Sequence, residues 1–190
     1  MRLFLTIFVF IFSLQSSIKA NDIKDFEIEG MSVGDNLLNF YSKREIDNFS
    51  NYDHLPSNMK FRIAEDNKKI GSYDGLQFFY KPKDKKFKIH SIAGHIFCDS
   101  KSKCNNILEE IKLDMETLLT GKKFIKSSYK HSDDKSGQSI SNYYYLDVDG
   151  GHIKIEFMDW SDKMTWADNV NVALNTYEVI DWMQNDYGVK

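Results

Sequence analysis

The chain has 190 residues, with 25 Lys and Arg against 28 Asp and Glu, a net charge of −3 and an isoelectric point near 6.0. A mildly acidic chain is a poor candidate for binding nucleic acid or an anionic membrane surface. The length suits one domain with a sizeable core, or two small fused units, and 14 Phe with 10 Tyr point to a structure rich in packed strands.

Residues 1–20 read as a targeting segment. Met1-Arg2 is a short positive start, Leu3 to Leu14 is apolar, and Ile18-Lys19-Ala20 ends on a small residue. The apolar run is shorter than the roughly 20 residues that span a bilayer. The pattern predicts a secretory signal peptide cleaved near Ala20, with an uncleaved anchor as the alternative. No Cys lies near the cleavage site, which argues against a bacterial lipid anchor, and no later segment is apolar for long enough to span a membrane. Cleavage removes Arg2 and Lys19 and leaves 23 basic against 28 acidic residues. The expected location is the periplasm or the exterior, with residues 21–190 as a single domain.

Asn21 to Glu29, with Ile23, Phe26 and Ile28 apolar, reads as extended, and Gly30 breaks it. Ser32 to Asp35 has the form of a capping box, with apolar residues at 33, 37, 38 and 41 on one helical face. A second box, Ser42 to Glu45, follows, so the segment is either two short helices with a corner or one helix running through Ser42. The residues from 51 to 58 read as a loop. Met59, Phe61 and Ile63 alternate with charged residues in a strand; Leu76, Phe78 and Tyr80 alternate with Gln77 and Phe79 in the next. The strand over 87–98 changes phase, and a bulge near His90-Ser91 would correct it. Gly94 marks a close approach or a bend. The next segment predicts the clearest helix, with Ile107, Leu108, Ile111, Met115, Leu118 and Leu119 on one stripe and Gly121 as its stop.

Residues 122–139 are polar, with Asp133 to Gly137 as a flexible loop tip. Ile140 to Asp149 and His152 to Trp160 form a hairpin about Gly150-Gly151 or Asp149-Gly150; either turn keeps the same faces together, so the register stays open. A last strand starts at Val170, alternates through Val172 and Leu174, and continues toward Val179-Ile180 and Trp182. Residues 186–190 are expected to fray. The predicted fold class is α+β: two helix-then-three-strand-meander halves, spanning 30–98 and 99–182, in a mainly antiparallel sheet with helices packed on one face.

Cys98 and Cys104 flank the junction between a strand and the long helix. In an exported chain two cysteines are most simply a structural disulfide. A redox pair and free thiols are the alternatives, but five intervening residues do not match the spacing of a redox motif.

Metal and catalytic signatures are sparse. His54, His90, His95, His131 and His152 form no helical ligand pair, and His90 and His95 would face opposite sides of a regular strand. Asp147 to Gly151 lacks the ligand set of a calcium loop and reads as a turn. The sequence has neither a nucleophile elbow nor a phosphate cradle, and no cofactor is expected. Glu156 and Glu178 lie in predicted strands and are expected to face solvent. Tyr143 and Tyr145 project from the face opposite Tyr144 and Leu146. With Phe79, Trp160, Trp166 and Trp182 they define either an aromatic contact surface or a surface hidden beneath a second layer.

The glycine-then-capped-helix opening Gly30-Met31-Ser32-Val33-Gly34-Asp35-Asn36-Leu37-Leu38, followed by strands and a repeat of this order, resembles the tandem αβ architecture of the β-lactamase-inhibitory-protein-like group. Its single-copy relatives include the small outer-membrane assembly lipoproteins. The chain departs from these in lacking a lipid-anchor cysteine and in carrying its cysteine pair at the strand-to-helix junction. The resemblance implies protein binding through an open sheet face.

The expected function is therefore a non-enzymatic exported binding module, whose partner is another exported or envelope protein docked on Phe79, Tyr143, Tyr145, Trp160 and Trp166. The alternative is a small-molecule or lipid carrier with a pocket between sheet and helices, lined by Phe78, Tyr80, Tyr144 and Phe157. A hydrolase using paired carboxylates is a third reading.

Overall fold

The computed structural model describes residues 21–51, 59–119 and 121–185. The expected signal peptide, most of the loop around Pro56 and the end of the chain at 186–190 lie outside the described residues.

The alternating segments pair into one antiparallel sheet. Its strands are β1 (Ser50–Asn51), β2 (Arg62–Asp66), β3 (Gly75–Tyr80), β4 (Ser91–Phe97), β5 (Ile125–Lys130), β6 (Ile140–Val148), β7 (Gly151–Asp159) and β8 (Asn169–Thr176). Their order is β1-β2-β3-β4-β8-β7-β6-β5, so the two meanders lie side by side and join where β4 pairs with β8, from Ser91 opposite Asn175 to Phe97 opposite Asn169. With α1 (Lys43–Asp47), α2 (Lys101–Leu118) and α3 (Tyr177–Asn185) the fold is α+β.

The second meander has four strands rather than three, because residues 125–130, a polar segment expected to hold no strand, form the edge strand β5. Only one face of β5 is even half-buried, so its sequence carries little apolar alternation. The last segment also departs from expectation. Strand β8 ends at Thr176 opposite Gly151, the first residue of β7, while its other neighbour begins at Ser91 opposite Asn175. Beyond Thr176 no strand remains to pair with. The chain turns into α3, with Thr176 Oγ1 accepting from the Val179 amide, and Val179, Trp182 and Met183 fall at helical spacing.

The first face of the sheet is apolar. Leu76, Phe78, Ile92, Val172, Leu174, Ile153 and Ile155 are all buried on it. One cover is α2, through Cys104, Leu108, Ile111 and Met115. Leu118, expected on this stripe, is half exposed; Leu119 leaves helical geometry at the C-cap (φ −94, ψ 63) and takes the buried position. The other cover is the segment from Ile23 to Phe49. Residues Ile23–Asp25 form a 3-10 turn closed by an Asp22/Asp25 capping box rather than an extended run. Ser32 and Asp35 bond reciprocally but close only a turn; a 3-10 turn follows at Leu37–Asn39, and α1 starts at the Ser42/Glu45 box.

The disulfide Cys98–Cys104 spans a Cα separation of 5.5 Å. It ties the residue after β4 to the first turn of α2, whose N-cap is Ser100. The phase change before β4 is corrected where expected, at His90-Ser91: the His90 amide donates to the Phe79 carbonyl at 2.8 Å while Ser91 is the residue paired with Phe79, so two residues of this strand stand against one of β3. Phe87 takes a left-handed conformation (φ 50) and Lys88 pairs with Asn36. At Gly94 the ring of Tyr73 occupies the space where a side chain would begin. The β6–β7 hairpin turns at Asp149-Gly150, with Gly150 at φ 78, and pairs Leu146 with Ile153 and Tyr144 with Ile155.

Candidate functional site

The second face of the sheet differs in chemistry. Across the strands one row runs His95, Asn171, Glu156, Tyr143 and the next runs Gln77, Ala93, Ala173, Lys154, Tyr145. A third holds Phe79, Ser91, Asn175 and His152. Helix α3 packs on this face, not with α2, and covers one corner: Val179 and Trp182 bury Phe61, Ile63 and Phe79. Trp182 meets the rings of Phe61 and Phe79 at centroid distances of 5.4 and 6.1 Å. The bulge at His90-Ser91 also brings His90 to this corner, edge-on to Phe61 at 5.2 Å and against Glu178 at 3.4 Å. The expectation that all helices share one face, and that Phe79 and Trp182 add exposed surface, is corrected by this small second core.

Beyond α3 lies a line of seven rings. His152, Tyr145, Tyr143, Tyr129, His131, Trp160 and Trp166 follow one another with centroid separations between 4.5 and 6.2 Å. Tyr143, Tyr145 and Trp160 are half-buried and Trp166 is exposed. Four of the five candidate residues thus share one surface, while Phe79 sits beneath α3. The Trp160 end is held by a buried carboxylate. Asp134 accepts from Ser136, from the Ser139 amide and hydroxyl and from the Ser161 hydroxyl, and these hydrogen bonds, Ser136 foremost, hold its carboxyl far below the usual range.

Beneath the rings lies an ion pair. Lys154 Nζ is 2.8 Å from Glu156 Oε1 and stands over the rings of Tyr143 and Tyr129 at 4.9 and 5.4 Å. Glu156 is buried, against the expectation that it faces solvent; it is accommodated because Tyr129 (2.9 Å) and Ser141 also donate to the same oxygen. Burial pushes its pKa up, but the Lys154 charge and the three donors outweigh that and keep the carboxyl below its ordinary value. Glu178, expected in a strand, belongs to α3 and binds Lys81 (2.8 Å) and Lys60 (3.3 Å). Burial lowers the pKa of His95 and, reinforced by Lys154, that of His152, the latter to about 4.

Between the second face and α3 lies a cleft of about 150 Å³, half open to solvent. Ala93 and Ala173 form its floor, Phe79, Ile180 and Met183 an apolar side, and Tyr129, Tyr143, Lys154, Glu156 and Asn171 a polar one. Asn171 Oδ1 is buried without a hydrogen-bond donor among the described residues. The residues named for an inter-layer pocket, Phe78, Tyr80, Tyr144 and Phe157, lie instead in the packed core on the first face. Lys154, Glu156, Tyr129 and Asn171 are site residues that sequence reasoning does not reach. Asn169, Asn171 and Asn175, alternating with Val170, Val172 and Leu174 in one strand, are the available sign that one sheet face stays polar.

No family model, curated protein or solved structure matches this chain.

Proposed function

We propose that the protein is an exported binding module that recognises another exported or envelope protein through the second face of its sheet. The observation that carries this reading is the ring line from His152 to Trp166, a partly exposed aromatic strip beside polar residues of the sheet. Aromatic residues dominate protein contact surfaces because they contribute large area at small entropic cost. Export is supported by the disulfide and by the apolar start of the chain. No described helix is long and apolar enough to cross a membrane.

The test compares the protein with a Tyr143→Ser/Tyr145→Ser variant. Both are isolated without denaturation from the exported fraction and weighed by native mass spectrometry. A stoichiometric protein that accompanies the parent and is lost from the folded variant is the expected result. Equal retention by the variant overturns the reading.

A further inference from the structure

We infer that the open edge of the sheet at β5 takes an extended strand of the partner, one that alternates acidic with apolar residues. The inference rests on the reading of the second face as the recognition surface and names how the partner reaches it. The backbone is the first argument. The His131 amide donates to the Ser139 carbonyl at 3.0 Å, and β5 pairs with β6 in the same register. Along an antiparallel strand, backbone groups of successive residues point alternately to one neighbour and the other. The odd-numbered residues of β5 therefore bond to β6, while the amides and carbonyls of Lys126, Ser128 and Lys130 point away from the sheet. Strand β5 is last in the order, and no described residue bonds those outward groups. A row of unpaired amides and carbonyls is a template for one more strand.

Charge is the second. The side chains of the outward residues lie on the first face, where Lys126 Nζ stands over the Tyr144 ring at 5.2 Å. Lys126 and Lys130 are exposed, and neither meets a carboxylate among the described residues. Edge lysines keep a second copy away. Pairing two copies about Ser128 sets Lys126 against Lys130, and pairing them about Ser127 crowds the same lysines on the diagonals. A different strand with carboxylates four residues apart would instead meet both lysines. The second face supplies the third argument. Ile125 is 53% exposed, and Tyr129 belongs to the ring line. Apolar residues between the partner's carboxylates would pack on these two and extend the line by one strand, about 4.8 Å away.

The probe is the acetylated, amidated peptide TEVTVET, titrated into the isotope-labelled exported protein and followed by heteronuclear NMR. The expected result is saturable 1:1 binding, with shifts centred on β5 and slower hydrogen exchange at the Lys126, Ser128 and Lys130 amides. The Ser127 and Tyr129 amides, already bonded to β6, should change little. The peptide TKVTVKT should bind about tenfold more weakly, since two facing pairs turn from opposite to like charge. Lys126→Glu/Lys130→Glu should reverse that preference. Ser128→Pro removes an outward amide that no internal bond uses, and should abolish peptide binding without lowering the melting temperature. The charge-reversed variant decides the matter if the proline variant does not fold. No saturable binding, equal binding of the two peptides, a preference unchanged by charge reversal, or full binding by folded Ser128→Pro would each overturn the proposal. So would a dimer that Ser128→Pro makes monomeric, because it identifies a second copy as the occupant of the edge.

Native mass spectrometry of the same variants separates the strand addition from the aromatic face. A partner lost from both Ser128→Pro and Tyr143→Ser/Tyr145→Ser, with peptide bound at the edge, supports one continuous surface. A partner lost from Tyr143→Ser/Tyr145→Ser but kept by Ser128→Pro, with no peptide binding, overturns the strand addition and leaves the protein-binding face standing. A partner lost only from Ser128→Pro, with peptide bound at the edge, supports the strand addition and overturns the aromatic face.

Discussion

Lys154 and Glu156 stand two residues apart on one strand, so both point to the second face of the sheet, and their Nζ and Oε1 meet at 2.8 Å beneath the rings of Tyr129 and Tyr143. A charge pair on a sheet surface is ordinary. This pair is unusual in that Glu156 is buried and takes Tyr129 and Ser141 as further donors.

Removing the carboxylate should therefore be costly. Glu156→Ala leaves Lys154 charged and three donors without their acceptor, and should destabilise by about 3 kcal/mol, as when one partner of a buried pair is removed. Glu156→Gln keeps an acceptor and should cost less. Lys154→Met together with Glu156→Leu should recover only part of the loss, since Tyr129 and Ser141 stay unpartnered. Urea unfolding midpoints for the three variants check the order.

Stability should fall on mild acidification because buried histidines must charge. Burial lowers the pKa of His90, His95, His131 and His152 from 6.5, reaching about 4 for His152, where Lys154 adds to burial and Asp147 opposes it. A lowered folded pKa means that the unfolded chain binds more protons between the two values. The stabilisation is thus whole above pH 6.5 and is lost progressively as pH falls toward 4. Melting temperatures measured from about pH 7.5 to about 4.5 should decline through this window, and His152→Gln should flatten the decline. Glu156 acts below it: its pKa is also lowered, so its contribution is whole above its ordinary value and is lost as pH falls through the folded one.

The disulfide closes a short loop between the end of β4 and the first turn of α2. In the chain-entropy account such a loop is worth about 2–2.5 kcal/mol. Cys98→Ala/Cys104→Ala should lose about that much, with the loss of a buried sulfur at Cys104 adding to it. Alkylation of the folded, unreduced protein should label neither position, and reduction followed by alkylation should label both.

The strands legible in the sequence are those with one wet face and one dry face, such as Ile140 to Val148. The hairpin faces, the α1 cap at Ser42 and the stop at Gly121 follow from local chemistry. Three features do not, each for a physical reason. Strand β5 is an edge with too little burial to imprint a pattern. Helix α3 begins where β8 runs out of partners, a fact of the sheet rather than of the residues from Tyr177 to Asn185. The burial of Glu156 depends on Tyr129 and Ser141, 27 and 15 residues away in sequence. The aromatic strip is half legible. Tyr143 and Tyr145 follow from strand period, but Trp160 and Trp166 join them through His131, which the unforeseen edge strand delivers.

Gly94 and Tyr73 provide a direct test of core packing on the first face. A Cβ at Gly94 would stand 2.3 Å from the Tyr73 ring, itself buried, and 2.5 Å from the next ring carbon. The ring cannot simply swing away, because the close-packed interior of which it is part leaves little free volume. Gly94→Ala should therefore destabilise by about 1–3 kcal/mol, the range for overpacking a filled core. Tyr73→Leu alone should also destabilise, through lost area and a new void. Combined, the two changes should be less damaging than their sum, since the methyl group introduced by Gly94→Ala enters space that the ring has vacated. A double-mutant cycle from chemical unfolding measures that coupling. A coupling near zero would mean that the glycine answers to strand geometry alone and not to the ring beside it.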